Sequence, residues 1–357
     1  MSRPTPAWVP PMRDGVSASR VAMAAGLGDT VLQFLDTRLP TVGDWAARIA
    51  RGDVLDARGQ PVTPGERCVP GQWLWYWRSV PHEHPVPEDI AVLHQDAHLV
   101  VVDKPHFLNV APGGGHVQQT VLVKLKRLLG IATLTPMHRL DRETAGVLLF
   151  IVQPATRHAY HALLRERQVH KLYEAVAPWR ADLPLPLEAA HRLEEPAGSG
   201  FMQMQLCPGE PNAHTRITLL RRLGPLPAAW ADGQSPVDPL APAAAQMQGP
   251  ALAPSPELAH YQLQPHTGRK HQLRAQLNAL GLPIVGDRIY PRLWPHPPAD
   301  APPDFSRPLQ LLAREIGFTD PVTGQARRFV SRRQLALVAL AALQPAGTTA
   351  PSGPGRP

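Results

Sequence analysis

Pro136–Val152 reads PMHRLDRETAGVLLFIV, a charged segment set directly against an apolar one. Asp141 lies between Arg139 and Arg142 with His138 just before it, so a single carboxylate sits in the local field of two permanent cations, which favours an anion there. Thr144-Ala145-Gly146 reads as a turn. Val147–Val152 is then an unbroken apolar run of strand length with β-branched members, the pattern of a buried strand. The charged loop is thereby anchored to a core. An isolated Asp–Arg neighbour pair is most often a surface ion pair capping a turn, and the surrounding chain decides whether more is meant.

Upstream, Leu99–Val102 is a strand that runs into Asp103-Lys104-Pro105, where proline ends the ladder. A loop follows, with His106-Phe107 and, later, Pro112-Gly113-Gly114-Gly115. The glycines are not a phosphate loop, because no GK[ST] follows them. Thr120–Leu129 has Val121, Leu122, Leu125, Leu128 and Leu129 at helical spacing and closes at Gly130. Downstream, Ala155–Gln168 is a helix by period. Its His158 and His161 have no carboxylate partner of the HExxH kind, so they read as solvated or core histidines rather than metal ligands. Val169–Val176 alternates as a strand, with Lys171, Tyr173 and Ala175 on one face. Residues 213–222 form another strand, and 225–256 are too rich in Pro and Ala to build a core, so they read as an insertion. Regular structure resumes at Tyr261. A turn at Thr267-Gly268 then opens a helix in which Leu273, Leu277 and Leu280 share one face and Lys270, Arg274 and Asn278 a neighbouring one.

These segments together resemble the RluA-type pseudouridine synthases. His138–Gly146, HRLDRETAG, is similar to that family's HRLDxxTSG signature, with Ala145 where Ser is usual. Asp103-Lys104-Pro105 is similar to its first motif, with His106-Phe107 in place of a small residue and glycine. Lys171-Leu172-Tyr173 resembles its Lys-x-Tyr, Ala213-His214-Thr215 its Ala-x-Thr strand, and Thr267–Arg274 its TGRxHQ[IL]R segment, with Gln276 where histidine is common. Ile284–Tyr290 and Leu309–Gly324 extend the likeness, which spans roughly residues 90 to 335. The resemblance implies an α+β catalytic fold: a mixed, mostly antiparallel sheet flanked by helices, two central strands carrying Asp141 and Tyr173. It implies catalysis by Asp141, Tyr173 and Arg274. Asp141 would attack the target nucleoside, Tyr173 would pack on the uracil and accept or relay the proton at carbon 5, and Arg274 would pair with the aspartate. RNA contacts are implied for Arg139, inserted where the flipped base had stacked, and for His138, Arg142, Lys171, Arg269, His271 and Lys104. No metal and no cofactor is implied.

The N-terminal region, residues 1–80, orders two helices (Thr30–Leu39 and Trp45–Arg51) before short strands at 53–56 and Trp73–Arg78. That order weakly resembles the alpha-L-type RNA-binding module and yields a small α/β appendage. The catalytic domain is expected over 88–343, with a disordered tail over 344–357. Lys and Arg number 36 against 29 Asp and Glu, a net charge of +7 that suits a polyanionic partner. The two cysteines, Cys68 and Cys207, give neither a disulfide framework nor a cysteine zinc site. No apolar run is long enough to span a bilayer, and the first residues lack the apolar centre of a signal peptide. The expectation is a soluble, cytoplasmic, monomeric enzyme isomerising uridines in structured large-subunit rRNA or tRNA. Two alternatives stand beside it: an RNA-binding protein without catalysis, and a nucleoside or glycoside hydrolase pairing Asp141 with Glu143. Adjacent loop carboxylates seldom flank a sugar from both sides.

Overall fold

In the computed structural model the described residues are 8–80, 82–196, 203–231, 257–295 and 301–343. The chain divides into two compact units, Met1–Val86 with Asn109–Pro136, and Pro87–Leu108 with Met137–Pro357. In chain order, β1 (Ser19–Ala22), α1 (Val31–Arg38), α2 (Trp45–Ala50), β2 (Val54–Leu55) and β3 (Trp73–Tyr76) belong to the first unit. β4 (Ala91–Gln95) and β5 (Leu99–Lys104) belong to the second. α3 (Val121–Leu129) and the two-residue β6 (Thr135–Pro136) return to the first.

The N-terminal sequence builds the first unit through local rules. Thr30 and Gln33 form a capping box that starts α1. Gly52 follows α2 at φ 72°, the left-handed turn that glycine adopts at least cost. The three strands form an antiparallel sheet in the order β1-β3-β2. The stretch 109–136, which the sequence reading grouped with the catalytic domain, belongs with these elements for a physical reason. Val117 and Val123 share a core with Val16, Leu55, Trp75 and Trp77. The Glu83 carboxylate also accepts the backbone N–H groups of Val117, Gln118 and Gln119 at 2.9, 2.8 and 2.8 Å.

The second unit continues with β7 (Ala145–Ile151), α4 (Arg157–Arg165), β8 (His170–Pro178), β9 (Leu187–Glu194), β10 (Gln205–Cys207), β11 (Ala213–Pro225), α5 (Ala228–Ala231), β12 (Glu257–Pro265), α6 (Gln272–Ala279), β13 (Leu311–Thr319), β14 (Ala326–Val330) and α7 (Ala336–Leu343). Its sheet runs β10-β9-β11-β12-β8-β13-β7-β5-β4, with β14 paired to the far half of β13. Of the strand pairs just given, β13 and β7 are parallel and the others antiparallel. This is the mixed, mostly antiparallel α+β architecture expected.

Apolar patterning explains the layers. β5 and β7 are buried along their whole length, and Tyr160 and Leu163 of α4 cover one face of them. Leu273 and Leu277 of α6 pack on Ala175, Ile217, Ala259 and Leu263, so α6 is held against β8, β11 and β12. Of the insertion expected at 225–256, Pro225 ends β11, and Trp230 in α5 packs beside Val176, Leu258 and Leu335. Residues 232–256 and the tail from 344 lie outside the described residues.

Candidate active site

Asp141 stands on the loop that enters β7, and the start of β7 is fixed by a close approach. Gly146 has φ 116°, and a Cβ there would lie 2.2 Å from the carbonyl oxygen of Ala313, so only glycine lets β13 run alongside. The pairing of Ala145 with Leu312 and of Gly146 with Ala313 follows. Asp141 therefore sits at a rigid corner between two central strands. Tyr173 lies within β8, on the other flank of β13, where its register partner is also Ala313.

The cations beside Asp141 in sequence are not its partners. Arg139 is exposed and its guanidinium makes no hydrogen bond among the described residues, while Arg142 donates through Nε to the carbonyl of Phe107 at 3.1 Å and lies 3.5 Å from Glu143. The Asp141 carboxylate is instead met by Arg274, whose Nη1 donates to Oδ2 at 3.2 Å. Arg274 is 2% exposed and is held from behind by Asp287, to which Nε and Nη2 donate at 2.8 and 2.6 Å. Burial works against the Arg274 charge, but the hydrogen bonds and charge of Asp287, with those of Asp141, more than offset it. The guanidinium is a fixed cation with one donor aimed at Asp141.

Asp287 is the residue that the sequence reading passed over. Its Oδ1 also accepts the N–H groups of Ile289 and Tyr290 at 2.8 and 3.0 Å, so the chain after it is clamped. Its signal in the sequence was its place in the matched Ile284–Tyr290 run.

Arg274 owes its position to a buried amide network. Gln272 Oε1 accepts from Thr267 Oγ1 at 2.8 Å and from the Arg269 N–H at 3.0 Å, and Gln272 Nε2 donates to the His214 carbonyl and to Thr215 Oγ1. Thr215 Oγ1 donates to Gln276 Oε1 at 2.6 Å, and Gln276 Nε2 donates to the carbonyls of Ala189 and Ala213. These bonds hold 267–271 as a turn, with His271 at φ 50°, so α6 begins at Gln272 rather than at Thr267-Gly268. Lys270 is consequently off the helix, paired with Glu195 at 2.8 Å, and does not share a face with Arg274 and Asn278.

Around Asp141 the remaining groups differ in their internal partners. Tyr173 has no hydrogen bond to its hydroxyl among the described residues, and burial, followed by the Asp141 charge, pushes its phenol above the ordinary range. His271 places Nε2 3.9 Å from Asp141 Oδ1, and burial lowers its pKa although Asp141 opposes this. Arg269 is exposed, with Nε at 3.4 Å from the Asn212 carbonyl. His138 is held neutral, its pKa lowered to about 4 by burial and by Lys171. Its Nε2 lies 3.4 Å from the Leu149 N–H. Lys171 donates to the Thr267 carbonyl at 3.0 Å.

Lys104 is a correction to the expected RNA contacts. It is fully buried, and its Nζ donates to the carbonyls of Pro105, Leu108 and Arg142 at 3.0, 2.7 and 3.0 Å, which uses all three N–H groups. It has no donor left for a phosphate. Its role is to tie the loop after β5 to the loop of Asp141. His106 adds a second tie, Nδ1 to the Glu143 carbonyl at 2.6 Å, and Phe107 adopts φ 63° at the position where the family motif has glycine.

The sequence model of the family described as RNA pseudouridylate synthase matches residues 98–279, a span that includes Asp141, Tyr173 and Arg274. The chain is 34% identical over 248 residues to an uncharacterized RNA pseudouridine synthase of Synechocystis, covering 69% of this chain and 73% of that one. It is 29% identical over 251 residues to the dual-specificity RNA pseudouridine synthase RluA of Haemophilus influenzae, covering 70% and 96%. To the mitochondrial pseudouridylate synthase RPUSD4 of Rattus norvegicus it is 35% identical over 245 residues, covering 64% and 60%. A buried guanidinium aimed at a loop carboxylate, with a half-buried tyrosine under the influence of that carboxylate, thus lies within a matched sequence, and the chain belongs to the RNA pseudouridylate synthase family, enzymes that isomerise uridine in RNA.

Proposed function

We propose that Asp141, Tyr173 and Arg274 form the catalytic group, and that the substrate is a uridine in a structured large-subunit rRNA or a tRNA. The reaction breaks the bond from N1 of uracil to C1′ of ribose, turns the base, and forms a bond from C5 to C1′. The proton on C5 is lost and N1 gains one, so the change is an isomerisation with no oxidant or water consumed. Asp141 supplies the anion that attacks the sugar or the ring. Arg274, fixed by Asp287, holds that anion in place without reorganisation during the reaction.

Tyr173 acts on the C5 proton as a relay. A phenol held neutral by burial and by a nearby carboxylate passes its own proton on as it takes another, rather than acting as a standing phenolate base. Arg139, exposed and with no hydrogen bond from its guanidinium among the described residues, fills the space from which the base has flipped, and Arg269, with His138 and His271 around the base, completes the RNA contacts. Removal of the base from its stack costs a few kcal/mol, which selects loops and deformable helices. Cytoplasmic residence as a monomer is consistent with Cys68 and Cys207, both of which are free. Among the described residues no helix is long and apolar enough to cross a membrane.

The observation that carries this reading is the chain of contacts from Asp287 through Arg274 to Asp141. Mapping pseudouridines in total RNA from cells with and without the gene tests it. One or a few rRNA or tRNA sites should disappear and return with the wild-type gene but not with Asp141→Asn. An unchanged pseudouridine map would contradict the substrate assignment.

A further inference from the structure

Arg288 follows Asp287 directly, and it begins a cluster that the catalytic group does not use. Its guanidinium carbon lies 5.6 Å from the ring centre of Phe107 and 5.8 Å from that of Trp294. Nη2 donates to the Asp304 carbonyl at 2.8 Å, the Asp304 carboxylate is 3.6 Å away, and the Trp294 N–H returns to the Arg288 carbonyl at 2.9 Å. Asp304 also accepts from the Ser306 backbone and hydroxyl. Phe305 meets Phe107 edge-on at 5.1 Å.

Arg307 differs from Arg288. Its guanidinium carbon is 5.8 Å from the Trp294 ring centre, yet it makes no hydrogen bond or ion pair with the described residues. Asp304 feels the charge of both arginines but accepts hydrogen bonds only from Arg288 and Ser306 in this cluster, so among the described residues two guanidinium charges face one carboxylate beside a half-buried indole.

Two covalent and hydrogen-bonded routes lead from this cluster to Asp141. One runs through Arg288, Asp287 and Arg274. The other runs from Phe107, whose carbonyl accepts from Arg142, the residue after Asp141. The cluster is therefore built onto both sides of the catalytic loop. Phe107 holds a left-handed backbone at φ 63°, and its ring is flanked by Phe305 and the Arg288 guanidinium.

We propose that Trp294 and Arg307 form a nucleotide subsite beside the reacting uridine, the indole stacking on an unpaired flanking base and the Arg307 guanidinium taking its phosphate. This rests on the reading of structured RNA as the substrate. An indole offers a π-face that any base can use, and a guanidinium with no hydrogen bond or ion pair among the described residues has its donors available for bidentate phosphate binding. Arg288, neutralised by Asp304, positions the indole and contributes no net charge of its own. The subsite favours a target uridine whose neighbour is unstacked, and disfavours one in continuous helix.

Single-turnover tritium release from 5-tritiated rRNA and tRNA transcripts, at increasing enzyme concentration, separates half-saturation from the maximal rate. Trp294→Ala should raise the half-saturating concentration about tenfold with the maximal rate within twofold, and Trp294→Phe should restore most of the loss. Arg307→Ala should make the dependence of log affinity on log salt shallower by about 0.7, and Arg307→Lys should restore the slope. A purely structural role for Trp294 would lower the unfolding temperature and the maximal rate together and leave the salt slope alone. Half-saturation unchanged in Trp294→Ala, or a salt slope indifferent to Arg307→Ala, would overturn the subsite. Filter retention of the same transcripts is measured in parallel. Wild-type protein that binds RNA through Trp294 but releases no tritium counts against the substrate reading, and Trp294-independent binding counts against the subsite alone.

Discussion

Tyr173 and Asp141 differ in what a near-isosteric change removes. Tyr173→Phe deletes a hydroxyl that has no internal hydrogen bond among the described residues, so neither packing nor a buried partner is disturbed. RNA affinity should stay within about twofold while the isomerisation rate falls by about 10². Filter binding beside single-turnover rates reads the two separately, and an equal loss of both would remove Tyr173 from the proton relay. At this scale the sequence was informative where chemistry is carried in a motif. Asp141 and Arg274, far apart in the chain, are brought to 3.2 Å as the resemblance implied. It was misleading where burial decides. Lys104 reads as one more cation, and only the fold reveals the three carbonyls that consume its donors. Arg142 likewise stands next to Asp141 in sequence and turns to the Phe107 carbonyl in space.

Elements align the site through contacts between β8, β13 and β7. Gly146→Ala would force a Cβ onto the Ala313 carbonyl at a positive φ, and both terms are unfavourable. A loss of about 3 kcal/mol or more in the urea-unfolding free energy is expected, and a change below about 0.5 kcal/mol would mean that β7 and β13 can separate without cost. On the opposite edge of β13, a register shift between Ala313 and Glu315 frees Arg314 to donate to Glu174 of β8 at 2.7 and 2.9 Å. Burial would raise the Glu174 pKa, but hydrogen bonds from His260 and Arg314 bring it down from 4.5 to about 2. A depressed carboxylate stabilises the fold fully above its unfolded pKa, and that contribution is lost as pH falls from about 4.5 through about 2. Glu174→Gln should therefore lower the urea midpoint at pH 6 and flatten its decline towards pH 3. An unaltered acid slope would exclude Glu174 as a source of it. Strands β5 and β7 were legible because fully buried strands write continuous apolar runs. β1 and β10 were not, being too short to show a period, and the true start of α6 depends on side-chain bonds to β11 that no local pattern encodes.

For the whole molecule the decisive quantity is the excess of basic over acidic residues, +7 in all, and its use on RNA. Retention of rRNA or tRNA transcripts should weaken steeply between 50 and 200 mM salt, since each neutralised phosphate releases condensed counterions. A flat salt dependence would contradict phosphate binding by Lys and Arg. The division of the chain into units was only partly readable. The observed break after Val86 falls between the expected bounds at 80 and 88, but the assignment of 109–136 to the first unit rests on Val117, Val123 and the Glu83 carboxylate, contacts between residues distant in sequence. The central claim concerns one carboxylate within this molecule. Asp141→Asn keeps the size of the side chain and leaves Arg274 its pair with Asp287, so folding and RNA retention should remain close to wild type. Tritium release from 5-tritiated uridine in RNA, followed in a single turnover, measures that claim directly: Asp141→Asn should release none above background, and release at the wild-type rate would contradict the assignment of Asp141 as the catalytic group.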